Sequence, residues 1–157
     1  IDPVMVTRTG SKLLEDSAIN AYKYLLIPIA DLVTPNIFEA KLLSGLEIMS
    51  KEDIEKSARN IIELGAKAVL IKGGGLKDMK GKDFFLDSNG RKDWLINNFV
   101  KTKNTHGSGC TLSAAICGYR ALGFELLDSI NKAKLFVEKS LKSSYKIGSG
   151  PGPLGHY

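Results

Sequence analysis

The stretch Asn104-Thr105-His106-Gly107-Ser108-Gly109-Cys110-Thr111-Leu112-Ser113-Ala114-Ala115-Ile116 holds the residues best suited to chemistry. It passes from a polar loop through two glycines into a run of small and apolar residues with helical character. Gly107 and Gly109 remove the Cβ atoms that would hold a ligand away from the backbone. Ser108 or Thr105 is expected to cap the helix. The first N–H groups of a helix have no internal partner and sit at the positive end of its dipole, so such a turn invites an anion. Cys110 falls in that first turn, where a thiol loses its proton more readily and can abstract a proton or attack. The plainer alternatives are a glycine loop that merely starts a buried helix, and a buried, inert thiol.

Three further polar features follow apolar runs, and in open α/β sheets ligands gather beyond the carboxyl ends of strands. Asn36 and Glu39 come after the run ending at Thr34. Their spacing puts both on one side of a helix's first turn, suited to water, Mg²⁺ or a phosphate-bound metal, or simply to capping the helix. Lys72 ends the apolar run Ala66–Ile71 and is placed to put an ammonium on a phosphate or to reach solvent. Gly73-Gly74-Gly75 after it allows close backbone approach or makes a turn. Asp2 stands at the entry to an apolar run rather than beyond its end. An anion-binding turn, a strand-end lysine, a carboxylate at a second helix start and a thiol at the anion site fit phosphoryl transfer, in which positioning and charge neutralisation do most of the work.

The elements that must position these groups can be read from periodicity. Pro3–Val6 reads as the inside of a strand, followed by a polar turn over Thr7–Ser11. Asp16–Ile27 repeats apolar residues near a 3.6 period and exits at Pro28. Ala30–Thr34 reads as a short buried strand and Ile37–Ser44 as a helix stopped by Gly45. Ser50-Lys51-Glu52-Asp53 resembles a capping box with Asp in place of Glu, opening a helix that ends at Gly65. Ala66–Ile71 is the clearest strand. Phe84–Asp87 and Trp94–Val100 flank Asn89-Gly90, a hairpin signal. The glycine loop and its helix follow to Gly123, then a helix over Leu126–Lys142 with Ile130, Ala133, Phe136 and Val137 on one side. The tail Gly148–Pro153 is neither helix nor central strand: it is a loop able to fold over a ligand, or a mobile terminus. This order predicts one α/β domain, a mostly parallel sheet flanked by helices.

Composition narrows the function classes. The chain has 157 residues, 43% of them hydrophobic and 25% charged, which is ordinary for a globular domain with a real core. Lys and Arg number 22 against 17 acidic residues, a formal charge of +5. That balance favours anionic ligands. The lysines are scattered, with no dense basic run and few interleaved aromatics, so nucleic acid is not the expected partner. No apolar run is long enough to span a bilayer, and no signal-peptide pattern occurs. Cys110 and Cys117, seven residues apart on one helix, lie roughly 10 Å from each other, too far for a disulfide. That fits a reducing, cytoplasmic setting. Cys117, beside Ile116 and Tyr119, is expected in the core. His106 and His156 bring no metal-ligand spacing.

Asp2-Pro3-Val4-Met5-Val6, Val33-Thr34-Pro35-Asn36-Ile37-Phe38-Glu39-Ala40, Val69-Leu70-Ile71-Lys72-Gly73-Gly74 and Asn104–Ile116 resemble, in order and spacing, the hydroxymethylpyrimidine/phosphomethylpyrimidine kinases of thiamine biosynthesis, members of the ribokinase-like superfamily. The resemblance runs along essentially the whole chain. It implies a three-layer α/β fold and ATP- and Mg²⁺-dependent phosphorylation of a primary alcohol on a pyrimidine, then of its monophosphate, by a homodimer when the protein is complete. Position by position, it implies that Gly107, Ser108, Gly109 and Cys110 form the anion hole, with Cys110 at the catalytic-base position. Asp2 and Glu39 would help hold Mg²⁺ and its waters, with Asn36 nearby. Lys72 would meet the ATP phosphates, Lys134 would lie near the nucleotide, and Val4 would line the pyrimidine pocket. Departures occur at Ser108, where the family usually has Thr, at Gly75, where it commonly has His, and in the tail Pro151–His156.

Family members begin with further strands and helices, including a glycine-rich loop and much of the substrate pocket. The expectation is therefore either the carboxyl-terminal portion of a longer polypeptide or a truncated relative. Two alternatives are a pyridoxal kinase of the Cys-containing type and a non-catalytic nucleotide-binding remnant. An exposed apolar sheet edge at Val4–Val6 would motivate the remnant.

Overall fold

The strand β1 (Ala68–Lys72) is buried from Ala68 to Ile71 because neighbours cover both of its faces, as its unbroken apolar run demands. The computed structural model describes residues 1–6 and 11–156; Thr7–Gly10 of the expected polar turn lie outside the described residues. The chain divides into two units, Ile1–Ile96 and Asn97–Tyr157.

In the first unit, β1 pairs antiparallel with β2 (Lys82–Asp87), which pairs antiparallel with β3 (Lys92–Ile96). Asn89-Gly90 turns the hairpin: Gly90 takes φ 87°, and Asp87 Oδ1 accepts from the amides of Asn89 and Arg91, both at 2.9 Å. β3 stops at Ile96, short of the expected Val100. Phe84 and Trp94 face each other across the pair, ring centroids 4.9 Å apart.

The regular strands are thus antiparallel, whereas the sequence predicts a mostly parallel sheet. The parallel component lies on the other side of β1, where the stretch 30–36 runs alongside it. Val33 N donates to Ala68 O (3.0 Å), Leu70 N to Val33 O (2.8 Å) and Lys72 N to Pro35 O (2.9 Å). Parallel bridges join Val33 to Val69 and Asn36 to Lys72. Pro35 stands where the next donor after Val33 is needed and has no N–H, so the ladder breaks into separate bridges instead of a continuous strand.

Pro3–Val6 does not form the expected strand. Ile1 lies beside 32–34, its amino group on Leu32 O (2.7 Å) and its carbonyl accepting from Thr34 N (3.0 Å). Pro3 brings no donor, and Val4 N turns back to Asp2 O (2.9 Å). Val4 is exposed, but Met5 and Val6 are buried and Val6 bridges Lys12, so Val4–Val6 is not the expected unpaired strand edge.

Asp16–Ile27 is also less regular than its period predicts. α1 (Asp16–Ala21) widens into a π turn over Tyr22–Leu26, with Ile27 N on Tyr22 O, then tightens into a 3₁₀ turn over Ile27–Ile29 that contains Pro28. α2 (Ile37–Ser44) and α3 (Lys51–Glu63) match expectation, including the left-handed stop at Gly45 (φ 72°) and both ends of the Ser50/Asp53 capping box. Ile54, Ala58 and Ile61 of α3 are fully buried and join Ile27, Val33, Ile48, Val69, Ile71 and Phe84 in one core.

The second unit is a helical hairpin, α4 (Ser108–Ala121) and α5 (Leu126–Lys142), followed by a tail. Leu112 and Ile116 bury one stripe of α4, and Ile130 and Ala133 one stripe of α5. Cys117 is exposed rather than in the core, because it lies about 100° around the helix from Ile116. The tail is not loose. His106 N donates to Gly152 O (3.1 Å), Tyr145 N to Pro153 O (3.4 Å) and Gly155 N to Ser140 O (3.1 Å), and Leu154 is buried.

Candidate active site

The first unit gathers four of the predicted site residues. Asn36 is the N-cap of α2: its Oδ1 accepts from Glu39 N (3.0 Å), and Glu39 Oε2 accepts from Asn36 N (2.8 Å). The capping alternative for this pair is therefore real, and the Met5 amide also donates to the Glu39 carboxylate. Glu39 is only 3% exposed. Burial pushes its carboxyl above the usual carboxylate range, and the charge of Asp2 pushes the same way. The Asn36 amide and the Lys72 ammonium pull it back in part.

Lys72, at the end of β1, turns its ammonium onto Asp2 Oδ1 at 3.0 Å instead of into solvent. The pair is largely buried, with 15% and 18% of the two side chains exposed. Thr34 Oγ1 also reaches Asp2 Oδ1 (3.4 Å). Pairing at 34–36 with β1 is what brings Asn36 and Lys72 side by side. Two carboxylates and a lysine beside an amide cap thus share one end of the sheet. Val4, two residues from Asp2, is 46% exposed.

Among the described residues no three His, Cys, Asp or Glu side chains gather into a metal cage. Asp2 and Glu39 are hard oxygen donors. Mg²⁺ is commonly held by one or two carboxylates with water and substrate phosphates supplying the rest, so the donor set fits that ion.

The second unit carries the glycine turn. Gly107, not Ser108 or Thr105, is the N-cap of α4; it takes φ 83°, and no side chain caps the helix. The left-handed backbone is open to glycine and strained for other residues. Thr111 N closes the first turn on Gly107 O at 2.8 Å. Ser108, Gly109 and Cys110 form that turn, and Cys110 is exposed, which removes the buried-thiol alternative. Cys110, Thr111, Ala114, Ala115, Phe136 and His156 line an open groove of about 390 Å³. His156 closes one wall: Nε2 lies 3.0 Å from Thr111 Oγ1, and its ring stacks on Phe136 at 6.3 Å. Lys134 is on α5 and buried at 6% exposure, on a different face of that helix from Phe136.

Sequence reasoning did not single out Thr34, Thr111 or His156. Their partners lie 32 and 45 residues away, and no local pattern announces such pairs.

Comparison with known proteins bears on the family and the fold. The family model described as phosphomethylpyrimidine kinase matches residues 1–155. A hydroxymethylpyrimidine/phosphomethylpyrimidine kinase of Synechococcus elongatus is 46% identical over 158 residues, covering 100% of this chain and 60% of that protein. Its namesake in Staphylococcus aureus is 40% identical and covered over 57% of its length. The chain therefore spans somewhat more than half the length of these relatives.

Among solved structures, an ADP complex of Bacillus subtilis pyridoxal kinase superposes with a TM-score of 0.90 at 37% identity, over 99% of this chain and 59% of that one. The phosphomethylpyrimidine kinase of Clostridium difficile gives 0.75 at 34% identity, over 89% and 55%. These neighbours have the ribokinase-like α/β fold. With a family match from the first residue to the tail, the chain belongs to the phosphomethylpyrimidine kinase family.

Proposed function

We propose that the complete protein transfers the γ-phosphoryl group of ATP to the primary alcohol of 4-amino-5-hydroxymethyl-2-methylpyrimidine, and then phosphorylates the monophosphate, in thiamine biosynthesis. The observation that carries this reading is the exposed Cys110 in the first turn of α4, directly behind the left-handed, side-chain-free cap at Gly107. Backbone N–H groups there suit the transferring phosphate, and Gly107, Ser108, Gly109 and Cys110 supply them. The Cys110 thiolate takes the proton of the attacking hydroxyl. A new bond forms between that oxygen and the γ-phosphorus as the bond to the bridging oxygen breaks, and ADP leaves.

Lys72 meets the ATP phosphates, and Lys134 lies toward the nucleotide. Asp2 and Glu39, with Asn36 nearby, hold Mg²⁺, which neutralises phosphate charge when bound. Val4 lines the pyrimidine pocket. The relatives act as kinases by name, and structures of Staphylococcus aureus pyridoxal kinase contain ADP or AMP-PCP, which supports ATP as the donor. No helix among the described residues is long and apolar enough to cross a membrane. A cytoplasmic homodimer is the setting we propose.

A second reading, phosphorylation of pyridoxal, is favoured by the likeness to the Bacillus subtilis pyridoxal kinase. ADP release with Mg-ATP distinguishes them, comparing hydroxymethylpyrimidine, its monophosphate and pyridoxal. Turnover that depends on the pyrimidine supports the first reading, and turnover with pyridoxal alone replaces it with the second. Failure of every alcohol in a folded protein as long as its relatives removes the kinase assignment.

A further inference from the structure

The tail was singled out by its glycines and prolines, and the function just proposed makes no use of it. Its backbone nevertheless runs against the loop that leads into the glycine turn. Gly152 N donates to Asn104 Oδ1 (3.1 Å), Gly152 O accepts from His106 N (3.1 Å), and Pro153 and His106 form a parallel bridge. Asn104 is itself held from behind, its amide on Thr102 Oγ1 (3.1 Å), and Thr102 Oγ1 in turn lies 3.1 Å from Ser144 Oγ beyond α5.

Farther along, Gly155 N is tied to Ser140 O of α5, and His156 reaches Thr111 Oγ1 in the first turn of α4. The glycine turn Gly107–Cys110 therefore sits between two attachments of one strap, at 104–106 before it and at Thr111 after it. The fit admits no side chain at the crossing: a Cβ on Gly152 would collide with the Tyr145 carbonyl oxygen and press on the Asn104 amide, and one on Gly155 would strike the Ser143 carbonyl.

We propose that Asn104 is a positioning residue for the phosphate turn, acting through its bond to Gly152 so that the tail fixes the entry angle of the loop into α4. The inference rests on the reading of Gly107–Cys110 as the seat of the transferred phosphate. A seat made of backbone N–H groups has no side chain to adjust. Its affinity depends on the backbone that carries it, and an error of a fraction of an ångström at 104–106 is passed directly to Gly107. Asn104 contributes one acceptor oxygen at a fixed point, and the strap converts that contact into a rigid loop.

Cysteine alkylation of the full chain tests the inference without requiring turnover. Cys110 lies in the turn, and Cys117, exposed two turns farther on the same helix, is an internal control. Pyrophosphate is the probe, and the readout is the concentration that halves iodoacetamide modification of each cysteine, followed by peptide mass spectrometry. In the unsubstituted protein pyrophosphate protects Cys110 and leaves Cys117 unchanged. Asn104→Leu is expected to raise the half-protecting concentration about tenfold with no change at Cys117, the effect of losing one well-placed, partly buried hydrogen bond. Asn104→Asp, which keeps the acceptor oxygen, restores it.

Thr111→Val cuts only the far attachment and is expected to shift the same concentration in the same direction by a smaller factor. Unchanged protection in both Asn104→Leu and Thr111→Val overturns the inference, as does an equal change at Cys117. No protection of Cys110 in the unsubstituted protein overturns it together with the phosphate seat. Protection and its loss in Asn104→Leu, in a protein that phosphorylates none of the three alcohols, supports the strap and removes only the kinase reading.

Discussion

Lys72 Nζ and Asp2 Oδ1, 70 residues apart in sequence, meet at 3.0 Å in a largely buried ion pair. The lysine expected to meet phosphate is thus held by the carboxylate expected to help hold metal, and each keeps the other's charge compensated in a site that water reaches poorly.

Removing one partner should therefore cost more than removing both. Lys72→Met is expected to destabilise the fold by about 2 kcal/mol, because Asp2 is left uncompensated but not wholly shielded from solvent. Asp2→Asn combined with Lys72→Met should recover most of that loss. Urea unfolding of the two single variants and the double variant measures the coupling, and simple additivity would mean that the pair contributes nothing.

Glu39 gives stability a pH dependence of definite sign. Its folded pKa is raised above the ordinary carboxylate value of 4.5, chiefly by burial. Between the two values the folded state binds more protons than the unfolded chain, so this residue's contribution to stability falls as pH rises through that window. Glu39→Gln keeps an acceptor for the Asn36 amide and removes the titration. Its urea midpoint should fall less than that of the unsubstituted protein from pH 4.5 upward, while Mg²⁺ affinity drops. Parallel pH profiles for the two proteins would exclude Glu39 as the source.

Ser50→Ala should destabilise the first unit by about 1 kcal/mol, the usual cost of losing an N-cap acceptor. Ser50 Oγ accepts from Asp53 N at 3.2 Å, and Asp53 Oδ2 accepts from Ser50 N at 3.0 Å. Ser50→Thr should restore most of the loss. Thermal unfolding followed by far-ultraviolet circular dichroism measures both.

Cys110→Ala, in a protein as long as its relatives, is expected to lower kcat by about a hundredfold or more while ATP affinity changes little, the usual scale for a lost general base. Single-turnover kinetics beside ATP titration separates the two effects. Undiminished turnover would remove Cys110 from proton transfer.

Features that were legible in the sequence are those whose causes are local. The Ser50/Asp53 capping box, the Asn36 cap, the Gly45 stop, the Asn89-Gly90 hairpin and the span of α5 depend on residues within a turn of one another. What escaped depends on distant partners. Pro35 was visible, but that it interrupts a parallel ladder follows only once β1 is known to lie beside it. The Asp2–Lys72 pair spans most of the first unit. Cys117 was assigned to the core because its neighbours are apolar, yet the buried stripe of α4 passes through Leu112 and Ile116. In the candidate site, residue types and helix starts were readable. The absence of a side-chain cap at Gly107 and the tail's attachment to Asn104 were not.

The two sides of β1 are joined to their neighbours by connections of different kinds, and this gives the sheet an assembly order. A short link connects β1 to β2 and a tight turn connects β2 to β3, whereas the bridges from Val33 and Asn36 to β1 close only after α2 and α3 have been threaded between them. Loop closure over that longer stretch carries the larger entropic cost, so the antiparallel side should set first and the parallel side last. In pulse-labelled hydrogen exchange the Asp87 amide, bonded to Arg91 O, should gain protection before the Lys72 amide, bonded to Pro35 O; the reverse order would contradict this sequence of events. The end of the sheet that carries Asn36 and Lys72 would then be the last part to form and the first to open, so the residues proposed to handle phosphate occupy the more labile margin of an otherwise firmly built unit.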